Sequence, residues 1–169
     1  MDKLSIDRIN LLHPQLRKSA LDAYSDICIA LQGRSICRIT FTLRTFKEQS
    51  DLYNQGRTTK GKIITNAKAG SSYHNYGLAL DIALVIDTNK DGIFDTARWD
   101  TKGDYDGDLK SDWMECVEIF KSHGWDWGGD WITFVDMPHF EKRANYHWKV
   151  LLNKHKKKDF INGTTYVNI

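Results

Sequence analysis

An α+β fold, with a small antiparallel sheet and helices packed on one side, is what the sequence predicts, and three observations predict it. Segments of helical and of strand periodicity follow one another too irregularly for the β-α-β alternation of a doubly wound sheet. The run Leu78 to Ile86 alternates at a period of two and supplies one well-defined strand. Apolar residues make up 41% and charged residues 27% of the 169, enough to bury one core without staples.

The elements follow in order. Met1 to Pro14 carries Asp2, Lys3, Asp7 and Arg8 and no apolar run, so it does not read as a signal peptide; a leader removed beforehand would leave no trace. Pro14 sits at a first helical position, and Leu16, Ala20, Ala23, Ile27 and Ala30–Leu31 recur at helical spacing, with Gly33 as the stop. Ile36, Arg38–Phe41 and Leu43 read as a strand. Thr45 with Glu48 is a capping-box pattern that opens a helix ending near Gly56. Residues 63–86 form a second extended region. There Leu78, Leu80, Ile82, Leu84 and Ile86 share a bulky face, and Ala79, Asp81, Ala83 and Val85 share the other, which is small around Asp81.

Residues 87–112 change character, with eight aspartates against four basic residues, and read as a polar hairpin insertion. Trp113, Cys116, Val117 and Phe120 mark a helix that Gly124 stops. A Trp/Gly-rich turn follows, in which Gly128–Gly129 are expected to let the backbone turn tightly. Then come a short strand around His139–Glu141, a helix over 142–155 and a short strand over 164–169. A single domain over 1–169 is expected, with 87–110 as an acidic hairpin insertion and 156–169 as a C-terminal tail.

Composition narrows the function. Twenty-four basic against twenty-two acidic side chains leave +2, which argues against nucleic acid or an acidic membrane as the main partner. No apolar run reaches the ~18 residues of a membrane span. Aromatics at 12%, six of them tryptophan residues, argue against disorder. Three cysteines, Cys28, Cys37 and Cys116, make neither an even set nor a CxxC, so buried reduced thiols are expected. The chain is expected to be a monomer.

Two segments carry candidate metal ligands. Ser72-Tyr-His74-Asn-Tyr-Gly77-Leu-Ala79-Leu-Asp81 offers an imidazole and a carboxylate; Asp136-Met-Pro-His139-Phe-Glu141 offers an imidazole and two carboxylates. Two imidazoles and one carboxylate leave a fourth tetrahedral position open to water, which is the pattern of a catalytic zinc. His74 and Asp81 are seven apart with Gly77 between, so a turn before a strand, rather than one helix, would let them converge. Asp136, three residues before His139, is placed to accept a proton as general base. Any one of the six histidines taken alone is more often structural or exposed than a ligand.

These motifs resemble those of a known family. Ser72, His74, Gly77, Ala79 and Asp81, as SxHxxGxAxD, followed by Asp136 and His139 as an acid-x-x-His pair, resemble the zinc motifs of the LAS metallopeptidases. That family holds D-alanyl-D-alanine carboxypeptidases, vancomycin-resistance dipeptidases and L-alanyl-D-glutamate endopeptidases. The string Trp127-Gly-Gly-Asp130-Trp131 through Phe134-Val-Asp136-Met-Pro138-His139-Phe140 is similar to the endopeptidase branch, and the likeness runs from about Ile36 to Glu141.

The resemblance implies a hedgehog/D-Ala-D-Ala peptidase-like fold and a peptidoglycan peptidase. One zinc would sit on His74, Asp81 and His139, and Asp136 would act as base and then as acid to the leaving amine. Arg44 matches an arginine that holds the developing oxyanion, although Thr42-Leu43 replaces the Gly-Tyr usual before it. Gln49, and Leu52-Tyr53-Asn-Gln55-Gly56-Arg57-Thr58 beyond it, also fit. Ser72 is assigned to substrate or ligand orientation, Glu141 to support of His139, and Trp127 and Trp131 to the cleft wall or the core. The implied substrate is a peptidoglycan stem peptide cut at its L-Ala–D-Glu bond. A carboxypeptidase of the same family, or a non-catalytic wall-binding module that keeps zinc for stability, are the rivals. Such an enzyme would be made in the cytoplasm and act on the cell wall after release.

One further motif stands apart. Asp87, Asn89, Asp91, Gly92, Ile93 and Asp95 fit the first positions of an EF-hand-type loop, but the twelfth is Arg98. A solvated hairpin turning at Asp91–Gly92 is the first reading. A weak calcium site, helped by Asp104, Asp106 or Asp108, is the second. The basic run Lys154–Lys158 reads as a solvated helix end, or as a patch that steers the protein to an anionic wall.

Overall fold

The computed structural model describes residues 1–32 and 35–169; Gly33, the expected helix stop, lies outside them. Among the described residues five α-helices and five strands follow in order: α1 Lys3–Ile9, α2 Pro14–Ala30, β1 Ser35–Phe41, α3 Phe46–Asn54, β2 Ala79–Ile86, β3 Thr96–Arg98, α4 Asp112–Ser122, β4 Asp126–Trp127, β5 His139–Glu141 and α5 Trp148–Lys156. The strands make one antiparallel sheet in the order β1-β2-β5-β4, with β3 pairing β2 beyond the end of β5.

The alternation of β2 divides the molecule into two faces. Leu80, Ile82 and Leu84 pair across to Phe140, Ile39 and Cys37 respectively. All six are buried in the same core as Ala20, Tyr24 and Ile27 of α2 and Trp113, Val117 and Phe120 of α4. The intervening residues carry the other face: Asp81 pairs with His139 and Ala79 with Glu141. Helical packing on one side therefore leaves the opposite side of the same three strands for polar side chains. The register slips between Ile39 and Phe41, where β1 passes Asp81, and such a bulge re-aims side chains.

Local signals account for most boundaries. Thr45 and Glu48 form the reciprocal capping box of α3, Glu48 N donating to Thr45 Oγ1 at 3.1 Å and Thr45 N to Glu48 Oε2 at 2.8 Å. Pro14 opens α2, and the preceding His13 caps it by accepting from Gln15 N. The three cysteines are free.

The structure differs from expectation in four places. Residues 3–9, left unassigned by periodicity, form α1, capped by Asp2 through Ser5 N. The expected extended run 63–86 is strand only from Ala79; before it lie a loop and a 3-10 turn at Tyr73–Tyr76. Residues 142–147 are irregular, and α5 starts at Trp148 with His147 as its cap. The expected terminal strand reduces to one bridge, Phe160 to Val167. The tail instead folds back, with Val167 buried and its carbonyl accepting from His13 Nε2 at 2.9 Å. Among the described residues no helix is long and apolar enough to cross a membrane.

Candidate active site

The turn Tyr73–Tyr76 brings His74 to the start of β2. Gly77 ends that turn at φ 68°, the left-handed region that favours glycine. His74 then faces Asp81 on β2 and His139 on the neighbouring β5. His74 Nε2 lies 3.2 Å from Asp81 Oδ1 and 3.2 Å from His139 Nδ1, and His139 Nδ1 lies 3.1 Å from Asp81 Oδ1.

The outer partners decide what these three atoms offer. His74 Nδ1 is 2.6 Å from the Thr42 carbonyl oxygen. A carbonyl only accepts, so Nδ1 carries the proton and Nε2 presents a lone pair. His139 Nε2 is 3.0 Å from Glu141 Oε2 and donates to it, which leaves Nδ1 as the second lone pair. Two imidazole nitrogens and a carboxylate oxygen thus face one another with no proton assigned between them, an arrangement that a cation stabilises. Ligands 2.0–2.1 Å from a tetrahedral zinc stand about 3.3 Å apart, close to the edges of this triangle. The residues fit the ion, and Glu141 and the Thr42 carbonyl fix the tautomers as outer partners of a metal site do.

Protonation equilibria reflect the same geometry. Burial raises the Asp81 carboxyl, but His74 and His139 outweigh it and hold Asp81 well below the ordinary carboxylate range. Burial lowers the His139 imidazole, and Asp81 with Glu141 overcomes this, to about 9 in the metal-free chain, so a cation binding at Nδ1 would displace a proton from it. Burial pushes the Asp136 carboxyl up, helped by Asp81 and opposed by His139, His74 and Arg44.

A cavity of about 620 Å³ opens on the trio, and Arg44, Ser72, Trp131 and Asp136 line it. Arg44 NH2 stands 3.8 Å from Asp81 Oδ2, while NH1 donates to Gln49 Oε1 at 3.0 Å. Gln49 is fully buried and anchored through Nε2 to the Ala67 carbonyl at 2.7 Å. It braces Arg44 and does not line the cavity. The Ser72 hydroxyl does not cap the turn it precedes and borders the cavity. Trp131 lies with its ring 5.1 Å from that of His139. Trp127, by contrast, is a core residue whose Nε1 donates to the Met137 carbonyl at 2.7 Å. Glu141 is buried between His139 and Arg143 Nε, 2.5 Å away.

Gly128 and Gly129 open the tight 3-10 turn Gly128–Asp130, as expected, and do so without a left-handed backbone. Close approach is what requires them: a Cβ on Gly128 would collide with the Asp136 carbonyl oxygen, and one on Gly129 with the Trp127 ring. Asn75 is a residue that spacing did not single out. It holds the Arg44 carbonyl at 2.9 Å and accepts from Gly70 N at 2.9 Å. Trp99 also reaches the cavity, just beyond β3, with no signal in the sequence to announce it.

At the expected calcium loop, Asp87 accepts from Asp91 N and Gly92 N, at 3.2 and 2.9 Å. Among the described residues, Asp87, Asp91 and Asp95 do not form a metal-sized group of three; such groups lie downstream, at Asp104–Asp106–Asp108 and Asp106–Asp112–Glu115.

A three-donor His–Asp–His cluster on the open face of an antiparallel sheet, with a half-buried carboxyl and an arginine beside it, defines a metallopeptidase class of site. Comparison with known proteins places the chain within that class. Two family models, each described as D-alanyl-D-alanine carboxypeptidase, match residues 65–142 and 13–100. The peptidoglycan L-alanyl-D-glutamate endopeptidase CwlK of Bacillus subtilis (strain 168) is 48% identical over 134 residues, covering 79% of this chain and 75% of that protein. The crystal structure of Serratia marcescens L-Ala D-Glu endopeptidase ChiX matches with a TM-score of 0.55 at 18% identity, over 83% of this chain and 87% of that one. The chain belongs to the D-alanyl-D-alanine carboxypeptidase family of peptidases, which is zinc-dependent in general.

Proposed function

We propose that this protein is a zinc-dependent peptidoglycan hydrolase, an endopeptidase that cuts the L-Ala–D-Glu bond of stem peptides. The observation that carries the metal reading is the triangle of lone-pair donors on His74, Asp81 and His139. The bond assignment is supported by the 48% identity to a relative named for that activity.

Zinc held by His74 Nε2, Asp81 Oδ1 and His139 Nδ1 would polarise the scissile carbonyl and acidify water. The residues of the chain then divide the remaining work. The Asp136 carboxylate takes the proton of the attacking water and returns it to the departing nitrogen, a role suited to a carboxyl whose affinity for protons burial has raised. The Arg44 guanidinium, held by Gln49 and stacked over the Phe41 ring at 4.3 Å, is a fixed cation where negative charge develops on the carbonyl oxygen. Ser72 offers a hydroxyl to the substrate backbone, and Trp131 walls the cleft.

On this reading, residues 1–169 act as one domain and as a monomer, on the cell wall and outside the cytoplasm. The family models' own description favours a second reading, a carboxypeptidase that releases terminal D-alanine. A non-catalytic zinc-stabilised wall-binding module would need neither Asp136 nor Arg44 at the cleft.

The test is digestion of purified peptidoglycan by zinc-loaded protein, with mass spectrometry of the products. New amino-terminal D-glutamate ends, abolished by a chelator and restored by zinc, are expected. Released D-alanine would move the protein to the carboxypeptidase reading. Stoichiometric zinc with no product would favour the binding module.

A further inference from the structure

The catalytic reading leaves the acidic segment between β3 and α4 unused. From Asp104 it runs Asp-Tyr-Asp106-Gly-Asp108-Leu109-Lys110-Ser-Asp112-Trp-Met-Glu115. Carboxylates occupy positions 1, 3, 5, 9 and 12 of this stretch, and the last is glutamate, as in a twelve-residue EF-hand-type calcium loop. The earlier motif at Asp87 has arginine in that last place. As in an EF-hand, a helix receives the end of the loop: Glu115 lies in the first turn of α4.

The fold draws these side chains together. Carboxylate oxygens of Asp104, Asp106 and Asp108 lie within 4.8 Å of one another, and so do those of Asp106, Asp112 and Glu115. Asp106 belongs to both groups, so the two trios adjoin at one side chain. The sixth position of an EF-hand loop is glycine because the backbone turns sharply there. Here it is Leu109, at φ 74° and 95% exposed, so packing does not hold it in that conformation.

The independent observation is Glu115. It is 8% exposed, and its Oε2 is buried with no hydrogen-bond partner among the described residues. A buried carboxylate oxygen without a partner is costly unless a cation compensates it. Among the described residues, its other oxygen has Lys110 Nζ, 4.0 Å away, as a charge partner. Asp112 is already fixed, accepting from Ser35 Oγ and from Tyr105 N, the latter at 2.9 Å. Asp104 accepts from Gly107 N at 2.6 Å and Leu109 N at 3.0 Å. Each of these oxygens keeps a further lone pair.

We propose that the loop Asp104–Glu115 binds one calcium ion, with Glu115 as the residue that closes the site onto α4. An all-oxygen set on a flexible loop suits calcium, whereas magnesium demands tighter octahedral geometry and retains its water. Binding would displace the Lys110 ammonium from Glu115 and Asp108, which it approaches to 3.7 Å in the latter case. It would also anchor the chain between Trp99, which lines the catalytic cavity, and the first turn of α4. The proposal does not depend on the peptidase reading, and its test measures binding.

The experiment uses the full-length, zinc-loaded protein. Calorimetry with calcium alone is paired with terbium luminescence, sensitised by Tyr105 and Trp113 of the loop and chased with calcium. One site with a dissociation constant between about 10⁻⁷ and 10⁻³ M is expected. Glu115→Gln should weaken it at least tenfold with zinc content unchanged. Asp104→Asn, at an exposed position, should do the same, and it decides the matter if the buried substitution fails to fold. No calcium heat and no terbium displacement up to ~10 mM, beyond the weak end of such sites, would overturn the proposal. So would unchanged affinity in both variants, which would shift binding to the Asp87–Asp95 loop.

Discussion

Asp81 has a bulky core residue on either side of it in β2, and its two neighbours within hydrogen-bond reach are imidazoles whose outer nitrogens are already committed. Asp136 differs, since it borders the cavity without joining the triangle. Replacing it separates catalysis from metal binding. Asp136→Asn should lower kcat/KM on stem peptides by about 10²–10⁴, while zinc measured by elemental analysis stays near one per chain. Activity that survives would assign the base elsewhere. Glu141→Gln tests the outer partner. The amide still packs between His139 and Arg143 but loses its charge, so zinc affinity should fall about 10–100-fold in chelator competition. An unchanged affinity would reduce Glu141 to packing.

At the scale of elements, the tight turn into β2 carries the site. Gly77 at φ 68° has no room for a side chain: a Cβ would lie 2.7 Å from the backbone nitrogen of His13. The left-handed conformation alone costs an alanine about 1–2 kcal/mol. Gly77→Ala should therefore lower the thermal midpoint by at least about 2 °C and weaken zinc binding, because it displaces His74 relative to Asp81. A variant with wild-type melting and zinc affinity would refute this account of the turn. This turn was legible in the sequence, since a histidine and an aspartate seven apart around a glycine cannot share one regular helix. So were the capping box of α3 and the two faces of β2, because each rests on local covalent spacing. Helix α1 was not, being two turns long and stabilised by packing on β1 more than by periodicity. The irregular run 63–72 and the cavity position of Trp99 depend on contacts distant in sequence. Gln49 fitted the family pattern, yet that it braces Arg44 from behind follows only from where Ala67 passes. The spacing from Asp104 to Glu115 was present in the chain, but leucine at its sixth position, where an EF-hand loop has glycine, masks it.

Across the whole molecule, His13 joins three parts that are distant in the chain. Its backbone nitrogen donates to the Gly77 carbonyl at 2.9 Å, behind the catalytic turn. Its Nδ1 accepts from Gln15 N and caps α2, and its Nε2 donates to the Val167 carbonyl of the returning C-terminal tail. Both ring nitrogens are thus used in the neutral form. Protonating Nδ1 would remove the cap and place a positive charge at a helix N-terminus, where the dipole disfavours it. Burial, and then the nearby Arg17 charge, lower the His13 pKa below 6.5, although the Val167 bond opposes them. The unfolded chain therefore binds a proton at a pH where the folded chain does not. Stability from this group is complete above about pH 6.5 and declines as the pH falls toward the folded-state value, by up to about 1.4 kcal/mol per pH unit. Melting of the zinc-loaded protein between pH 7.5 and 5 should show the decline. His13→Asn, which keeps a neutral capping side chain, should start less stable and lose less on acidification. Parallel curves for the two proteins would mean that another group sets the acid sensitivity, and that the junction of α2, the catalytic turn and the tail does not titrate.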